Sequence, residues 1–439
     1  MGPGTIAVLM FAIMLSLMAL GLPIAFVLGG TAMLFALFLW GPAAVQVAVL
    51  NASNTMNATV LVAVPLFIFM AYMLEKSGIA DELFTVVHRW MGSLRGGLAA
   101  GVIVGCTIIA AMTGISSTGV LMMGIIGLPA MLSRNYDKHL AMGCIMAGGA
   151  LGPLIPPSIV MIVYALISGE SVGRLFLGGI LPGLLLSTLF ISYILIRCYF
   201  NKDLGPALPF DERAGWGEKL RSLKGIILPV LLVFAVLGSI FGGLATPTEA
   251  AAVGAFGTMV SAAVHGHLRW GILKAVTFSS LKTVAMIMWI IFAANCFAAI
   301  LQGLGVSALL KGMLVAWPVN KWIILILIQI TWFILGCLMD ALSIMLVSMP
   351  VFFPVITFLG IDPLWFGILY VVNTEMGYLT PPFGVNLFVM RGIAPKEIST
   401  LDIYRAAGPF ILLQAAGLIL TMAFPGLATY LPNLILKTK

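Results

Sequence analysis

The segment GPLIPPS at Gly152–Ser158 returns in altered form as GYLTPPF at Gly377–Phe383. In both segments a glycine stands four residues before the first of two adjacent prolines, and both segments lie inside long apolar stretches. Proline lacks a backbone N–H, so helix carbonyls upstream of it lose their donor. The two segments therefore predict interrupted helices at corresponding places in two halves of the chain.

Two further pairs of landmarks keep nearly the same spacing. Pro23 in GLPIAFVLGG precedes Pro247 in TPTEAAAVG by 224 residues. Ser116 in TGISSTG precedes Asp340 in CLMDALS by the same number. Three pairs in one order at nearly the same spacing indicate an internal duplication. The predicted organisation is repeat 1 at residues 1–200, a cytoplasmic linker at 201–224 and repeat 2 at 225–439.

The composition places nearly the whole chain in a lipid bilayer. Of the 439 residues, 62% are hydrophobic and 8% are charged, against roughly 25% charged in an average soluble domain. Lipid cannot satisfy free backbone groups, so nearly every spanning segment is expected to be helical. The net charge of +7 comes from basic residues dispersed between apolar runs. This pattern favours positive-inside loops over a nucleic-acid surface. The predicted fold class is an all-α polytopic membrane protein.

Two of the interrupted stretches are expected to enter and leave on one side of the membrane. The limb Gly97–Met112 forms about 24 Å of helix, whereas the hydrocarbon core is roughly 30 Å thick. We therefore predict re-entrant hairpins at 97–132 and 321–358, and broken transmembrane helices at 140–167 and 363–391. Each repeat then crosses the membrane an odd number of times, so the two repeats have inverted topology.

The loop charges predict the orientation. With the N-terminus outside, most of the 22 Lys and Arg residues fall on the inner side, as the positive-inside rule requires. The outer side then holds Arg174, Lys311, Lys321, Lys437 and Lys439. Both termini are predicted to be periplasmic, with the first hairpin opening inward and the second opening outward.

The first hairpin tip, TGISSTG at Thr113–Gly119, offers hydroxyls and backbone carbonyls at membrane depth. Helix breaks expose carbonyls that suit a bare cation and N–H groups that suit a carboxylate. The candidate cation ligands of this half are Gly114, Ser116, Ser117, Gly152, Ile155 and Pro157. Two alternatives stay open: hydroxyls that bond back to helix carbonyls, and ordinary proline kinks.

The second tip carries an acid, Asp340, inside an apolar run. A mid-membrane acid costs about 2.5–3.5 kcal/mol on insertion scales, which makes it a functional candidate. A structural hydrogen bond at the tip is the alternative. The cation candidates of this half are Asp340, Gly377, Thr380 and Phe383. The candidate substrate contacts are Thr113, Ser116, Ser158, Asp340 and Asn386.

Motifs for enzymatic chemistry are missing from the sequence. It contains no GxxxxGK[ST] phosphate loop, no HExxH and no GxSxG. These absences argue against ATP hydrolysis by that route and against an intramembrane enzyme. The sequence predicts a non-enzymatic protein whose energy comes from an ion gradient or another subunit.

Five segments resemble the large membrane subunit of tripartite ATP-independent periplasmic (TRAP) transporters, and the resemblance covers essentially the whole chain. They are GLPIAFVLGG, TGISSTGV, GPLIPPSIVMIVYA, ATPTEAAAVG and GYLTPPFGVNLFV. The resemblance implies an elevator-type transporter of the ion-transporter superfamily in the bacterial inner membrane, each repeat with scaffold spans and an arm. It also implies sodium ions as coupling ions. One would sit near the first tip and the Gly152–Pro157 break, the other near Gly336 and the Gly377–Phe383 break.

The same resemblance implies two protein partners and a class of cargo. The partners are a small four-helix membrane subunit and a periplasmic substrate-binding protein. The cargo is a carboxylate such as a C4-dicarboxylate, a sialic acid or another sugar acid. Two alternatives stay open: a stand-alone sodium/anion symporter of the same superfamily, and a membrane scaffold without transport of its own.

Overall fold

The structure, a computed structural model, describes residues 2–209, 212–306, 308–309, 311–312 and 320–436. Lys437 and Lys439 of the predicted outer side lie outside this part of the chain, as do residues 210–211 of the linker. The described residues form helices, turns and loops and contain no β-strand. The predicted all-α class is therefore confirmed.

The first half of the chain begins with spans and continues into a helical hairpin and a broken helix. Its helices are α1 (Pro3–Ala19), α2 (Ile24–Trp40), α3 (Ala44–Met56), α4 (Ala63–Lys76), α5 (Ile79–Met91), α6 (Gly97–Thr113), α7 (Ser116–Leu132), α8 (Lys138–Ala150), α9 (Ile159–Ser168) and α10 (Val172–Phe200).

The second half repeats that order after a short linker helix. Its helices are α11 (Trp216–Ser222), α12 (Lys224–Phe241), α13 (Pro247–Val264), α14 (Trp270–Gly303), α15 (Lys321–Gly336), α16 (Ala341–Phe358), α17 (Pro363–Leu379), α18 (Val385–Ile393), α19 (Thr400–Ala423) and α20 (Gly426–Ile435).

Length and composition agree with a multi-pass membrane protein. Seven helical stretches of the described ranges are long and apolar enough to cross a bilayer. The limbs α6, α7 and α15 are shorter apolar helices of 16 or 17 residues, or about 24–26 Å. They fall inside the two stretches predicted as hairpins. Whether these hairpins are re-entrant stays a prediction.

Local sequence explains where the broken helices begin. The Asp137 side chain accepts a hydrogen bond from the Leu140 N–H (2.9 Å) at the start of α8. The Asp362 side chain accepts one from the Leu364 N–H (2.8 Å) at the start of α17. An aspartate at this position supplies an acceptor to the free N–H groups of a helix start. The two caps stand 225 residues apart, as the diprolines do.

The structure adds helical detail to the predicted organisation. Helices α3 and α5, of 13 residues each, lie between longer apolar helices. Helix α14 runs for 34 residues. Near the end of the chain the helix is interrupted, because it ends at Ala423 and the next one begins at Gly426. Pro425 lies in this interruption, and its ring cannot continue a helix.

Helices of the two halves pack in reciprocal pairs. Helix α2 packs on α14 while α4 packs on α13, and α8 packs on α19 while α17 packs on α10. Helix α7 packs on α18 while α16 packs on α9. In each of these three cases the corresponding helices of the other repeat make the converse contact. This packing brings the hairpins and the broken helices into one group.

Candidate functional site

The first hairpin tip is a tight turn held by one glycine. Helix α6 ends at Thr113, and Gly114 follows with φ +64° and donates its N–H to the Ala110 carbonyl (2.9 Å). A Cβ added to Gly114 would lie 2.1 Å from the carbonyl oxygen of Pro157. Only glycine therefore allows the tip to touch the first broken helix here.

The first break lies between Ala150 and Ile159, the end of α8 and the start of α9. A Cβ on Gly152 would lie 2.7 Å from the backbone nitrogen of Ser116. All residues from 151 to 158 are buried. The structure thus brings the predicted tip and the predicted break into direct backbone contact, away from solvent.

Three backbone carbonyls of this break have no hydrogen-bond donor. Within the described residues, the carbonyl oxygens of Gly152, Ile155 and Pro157 accept no hydrogen bond. Buried carbonyls are normally paired, and unpaired ones suit a bare cation. The Ile155 side chain lines an apolar cavity of about 440 Å³, so only its backbone oxygen can serve a cation. The unpaired carbonyl oxygens at the first break are therefore suitable ligands for a sodium ion.

Two predicted substrate contacts meet at the first tip. The Ser116 hydroxyl donates to the Asn386 side-chain oxygen (2.8 Å), and the Asn386 amide donates to the Met146 carbonyl (2.9 Å). Asn386 is fully buried and Ser116 nearly so. The first tip and the first break together form what we call the first half-site, and the second tip and second break form the second half-site. Repeat 2 thus contributes a side chain to the first half-site, and each of the two side chains already has a protein partner.

The other three predicted hydroxyl ligands of the first half have local partners or none. Thr113 donates to the Ile109 carbonyl of its own helix (2.9 Å). Ser158 is buried and accepts from the Met161 N–H (3.3 Å) as the cap of α9. Ser117 is half-buried and makes no hydrogen bond within the described part of the chain. Of the three, Ser117 is the most available to a ligand.

The second tip approaches the second break in the same way. A Cβ on Gly377 would lie 2.8 Å from the Cα of Gly336 and 2.9 Å from its carbonyl oxygen. The Phe383 N–H donates to the Cys337 carbonyl (3.2 Å). Thr380 donates its hydroxyl to the Met376 carbonyl (2.8 Å). The predicted residues of this half are therefore also brought together.

Asp340 serves as the N-cap of α16. Its carboxylate accepts hydrogen bonds from the N–H (3.1 Å) and the hydroxyl of Ser343. The side chain is exposed on the protein surface. The geometry matches the alternative of a structural hydrogen bond, and it leaves a carboxylate at the tip that a cation can still reach.

The comparisons with known proteins give the family. The family described as "Tripartite ATP-independent periplasmic transporter, DctM component" matches residues 11–427. The C4-dicarboxylate TRAP transporter large permease protein DctM of Rhodobacter capsulatus is 32% identical and covers 98% of this chain and 99% of its own length. The chain belongs to the DctM family of TRAP transporter permeases. Its relatives are transporter subunits, not enzymes.

Two further similarities extend this DctM assignment. The isethionate TRAP transporter permease protein DctMQ of Oleidesulfovibrio alaskensis is 31% identical over 94% of this chain, which spans 64% of that protein. The crystal structure of the Alcanivorax borkumensis YdaH transporter matches with a TM-score of 0.62 and 18% identity, over 88% of each chain. At that identity the likeness concerns the fold alone.

Sequence analysis of this DctM chain missed a group of buried polar side chains beside the second break. Gln414 on α19 donates to the Glu375 carboxylate (2.8 Å), and both are fully buried. Asn373 donates to the Gln329 side chain (2.7 Å). Isolated polar residues within apolar runs are the signal for such a group. The amides in particular give a weak signal, because they carry no charge.

A polar cavity of about 340 Å³ lies between α3, α9, α14 and α16 of this DctM chain. Five hydroxyl and amide side chains line it, and none of its lining residues is charged: Asn51, Asn54, Thr55, Asn295 and Gln302. Asn295 donates to the Thr55 hydroxyl (2.8 Å). Such a lining can form hydrogen bonds with a polar solute.

Proposed function

We propose that this DctM chain is the transporting subunit of a sodium-coupled uptake system for a carboxylate. The single observation that carries the proposal is the buried first break, which has three unpaired carbonyls and is in backbone contact with the first hairpin tip. A cation there would be held by the carbonyls of Gly152, Ile155 and Pro157. The second half-site, near Gly336, Asp340, Gly377, Thr380 and Phe383, is proposed as the second sodium site.

The described residues hold no group of three or more His, Cys, Asp or Glu side chains that would suit a transition metal. Carbonyl and hydroxyl oxygens are hard ligands and suit hard cations. At either tip, therefore, a cation would be bound by backbone oxygens, hydroxyls and at most one carboxylate. This donor chemistry supports an alkali cation as the coupling ion.

The proposed mechanism is alternating access by an elevator movement between inverted repeats. The reciprocal packing of α2 with α14 and of α4 with α13 supports the duplication, because a twofold relation makes each contact occur twice. The hairpins and broken helices would move as one body against those spans. The inner-membrane location with both termini periplasmic belongs to the same proposal.

The proposed cargo is a small organic anion, and the proposed partners supply it. A C4-dicarboxylate is the first candidate because the Rhodobacter capsulatus relative carries that name; sialic acids and other sugar acids remain candidates. The DctMQ relative is longer than the segment that this chain matches. This extra length supports a small membrane subunit as partner. A periplasmic binding protein is proposed as the second partner, as in the family.

Uptake in proteoliposomes tests the function. The chain is reconstituted with its small subunit and binding protein, and uptake is measured for the ligand that the binding protein carries, identified by mass spectrometry. Accumulation should require an inward sodium gradient and should vanish with potassium. Uptake that is independent of the sodium gradient would refute the coupling. Full uptake without the binding protein would favour the stand-alone symporter.

The variant Asp340→Asn tests the second sodium site. Asparagine can still cap α16 but lacks the charge, so loss of a sodium ligand should lower sodium-dependent uptake about tenfold, which corresponds to about 1.4 kcal/mol. The matched control is Asp362→Asn, which also exchanges an aspartate cap. Asp362 lies at the start of α17, at the opposite end of that helix from the second break, so this variant should keep uptake. Uptake by Asp340→Asn equal to the control would remove Asp340 from the site.

A further inference from the structure

A third cavity, of about 310 Å³, lies where α10 ends and α19 begins. Basic, aromatic and apolar side chains line it, together with one acid: Asp137, His139, Tyr193, Arg197, Arg405 and Phe410 are among them. It shares no residue with the hairpin tips or the breaks. Its basic lining therefore calls for a separate explanation.

The acids around this cavity are already engaged. The Lys138 ammonium lies 2.8 Å from the Asp402 carboxylate, and the His139 ring lies 3.3 Å from the same oxygen. Asp137 caps α8 and lies 3.6 Å from the other ring nitrogen of His139. Asp402 is thus paired with a lysine, and Asp137 is engaged at a helix start.

The two arginines, in contrast, have no acidic partner. Within the described ranges, neither Arg197 nor Arg405 lies within ion-pair distance of an Asp or Glu, and both are exposed. Two guanidinium groups on one cavity offer an anion several charged hydrogen-bond donors. Arginine suits phosphate in particular, because its planar fork makes two parallel hydrogen bonds.

Aromatic packing holds one of these arginines at the cavity. Arg197 donates to the Tyr193 hydroxyl (2.7 Å), and its guanidinium carbon lies 5.7 Å from the centre of that ring. The Tyr193 ring in turn packs edge-to-face on Phe410, with the ring centres 5.5 Å apart. The guanidinium is therefore positioned before any ligand arrives, which lowers the entropy cost of binding.

The position of the cavity identifies the source of the phosphate. Arg197 lies in the last turn of α10 and Arg405 near the start of α19. Both helices are long and apolar enough to cross a bilayer, so these ends are expected near its surface. Exposed apolar side chains flank it, including Ile196 (57% exposed), Phe200 (82%) and Leu401 (55%). Lipid tails can cover such side chains, whereas a free phosphate ion cannot.

We propose that this cavity binds the phosphate group of an anionic phospholipid, with Arg197 and Arg405 on the phosphate and the acyl chains against the neighbouring apolar side chains. On the predicted topology this is the cytoplasmic leaflet. Basic pockets between transmembrane helices on that side are suited to anionic headgroups. The proposal does not depend on the identity of the cargo.

Native mass spectrometry of the purified chain in detergent tests the proposal. The protein is titrated with phosphatidylglycerol, with phosphatidylcholine and with inorganic phosphate. Wild type should retain phosphatidylglycerol in preference to phosphatidylcholine. Arg197→Gln and Arg405→Gln should each weaken phosphatidylglycerol binding about tenfold, since each removes a charge-assisted hydrogen bond. The control Arg269→Gln removes an exposed arginine at the start of α14, outside the cavity, and should bind like wild type.

Three outcomes would overturn the proposal. The first is equal retention of phosphatidylglycerol by wild type and both cavity variants. The second is equal affinity for phosphatidylglycerol and phosphatidylcholine. The third is displacement of phosphatidylglycerol by an equal concentration of inorganic phosphate, which would identify a free-anion site. Elution of each variant as a single folded species in size-exclusion chromatography separates lost binding from lost folding, and Arg197→Lys should restore part of the binding.

Discussion

The two half-sites share their backbone contacts but differ in access. In the first, residues 151–158 are all buried. In the second, Pro382 and Phe383 are exposed, the latter by 56%. Each tip touches its break at glycine positions where a Cβ would not fit. The repeated sequence therefore sets the close approach, and the surrounding helices set whether solvent reaches it.

The carbonyls of the two breaks differ as well. The Gly377 carbonyl accepts from the Thr380 N–H (3.1 Å), and the Thr380 carbonyl accepts from the Gly384 N–H (3.1 Å). Their counterparts in the first break have no donor within the described chain. Asn386 also closes only the first half-site, because Met161 stands at the equivalent position of repeat 1. The first break thus offers the more complete set of free oxygens.

The largest expected effect comes from Gly114→Ala. The new methyl group would meet the Pro157 carbonyl at 2.1 Å, and φ +64° is itself costly for alanine. Together these should lower the free energy of unfolding by about 3 kcal/mol or more and abolish uptake. Thermal unfolding in detergent and uptake in proteoliposomes measure the two effects.

The control for this change is Gly169→Ala. Gly169 has φ +74° and also follows a helix, but a Cβ there meets nothing within 4 Å. The free energy of unfolding of this variant should fall only by the cost of the left-handed conformation for alanine, about 1–2 kcal/mol. Equal losses in the two variants would mean that the contact between the first tip and the first break contributes nothing.

Gly377→Ala should have a smaller effect. Its Cβ would meet the Gly336 backbone at 2.8–2.9 Å, but the second half-site is open on one side and can shift. We expect a loss of about 2 kcal/mol, within the usual cost of overpacking, measured by thermal unfolding. Gly392→Ala, where a Cβ has open space in α18, should be neutral. A larger loss of stability for Gly377→Ala than for Gly114→Ala would mean that the second half-site is the more tightly packed of the two.

Asn386→Ala tests the bridge that only the first half-site has. It leaves the Ser116 hydroxyl and the Met146 carbonyl without their partner, which should cost about 1–2 kcal/mol. Asn57→Ala is the control, since its amide bonds only to the Ser53 carbonyl of its own helix on the surface (2.9 Å). If the two variants have the same melting temperature, the bridge does not stabilise the protein.

The smallest effect is expected for Glu375→Gln. Glutamine can still accept from Gln414, and its new amide can donate to the Gln414 oxygen, which has no partner among the described atoms. Removing a buried charge is often neutral or stabilising, so the melting temperature should not fall. Glu375→Ala, which loses the hydrogen bond, should cost about 1–3 kcal/mol. If Glu375→Gln lost as much stability as Glu375→Ala, the carboxylate itself would be needed.

The breaks and tips could be predicted because their causes are local. Two prolines remove N–H donors wherever the chain goes, and Gly114 permits its turn without help from other segments. The aspartate caps at Asp137 and Asp362 obey an equally local rule, and their spacing of 225 residues would have revealed them.

The pairing of Ser116 with Asn386 could not be predicted, because it spans 270 residues and depends on how α7 packs against α18. The exposure of Asp340 depends on the neighbouring helices for the same reason. Its charge inside an apolar run suggested a cation ligand or a substrate contact, with a structural hydrogen bond as the alternative. Its position at the start of α16 makes it a cap. The Glu375–Gln414 pair also needed the packing of α17 on α19.

The unpaired carbonyls of the first break have a consequence for how such proteins diversify. A point mutation replaces a side chain but leaves the peptide oxygen in place. A cation held by those oxygens would keep its coordination while the residues around it drift. Cargo preference could then change from one lineage to the next, and the driving ion would stay the same.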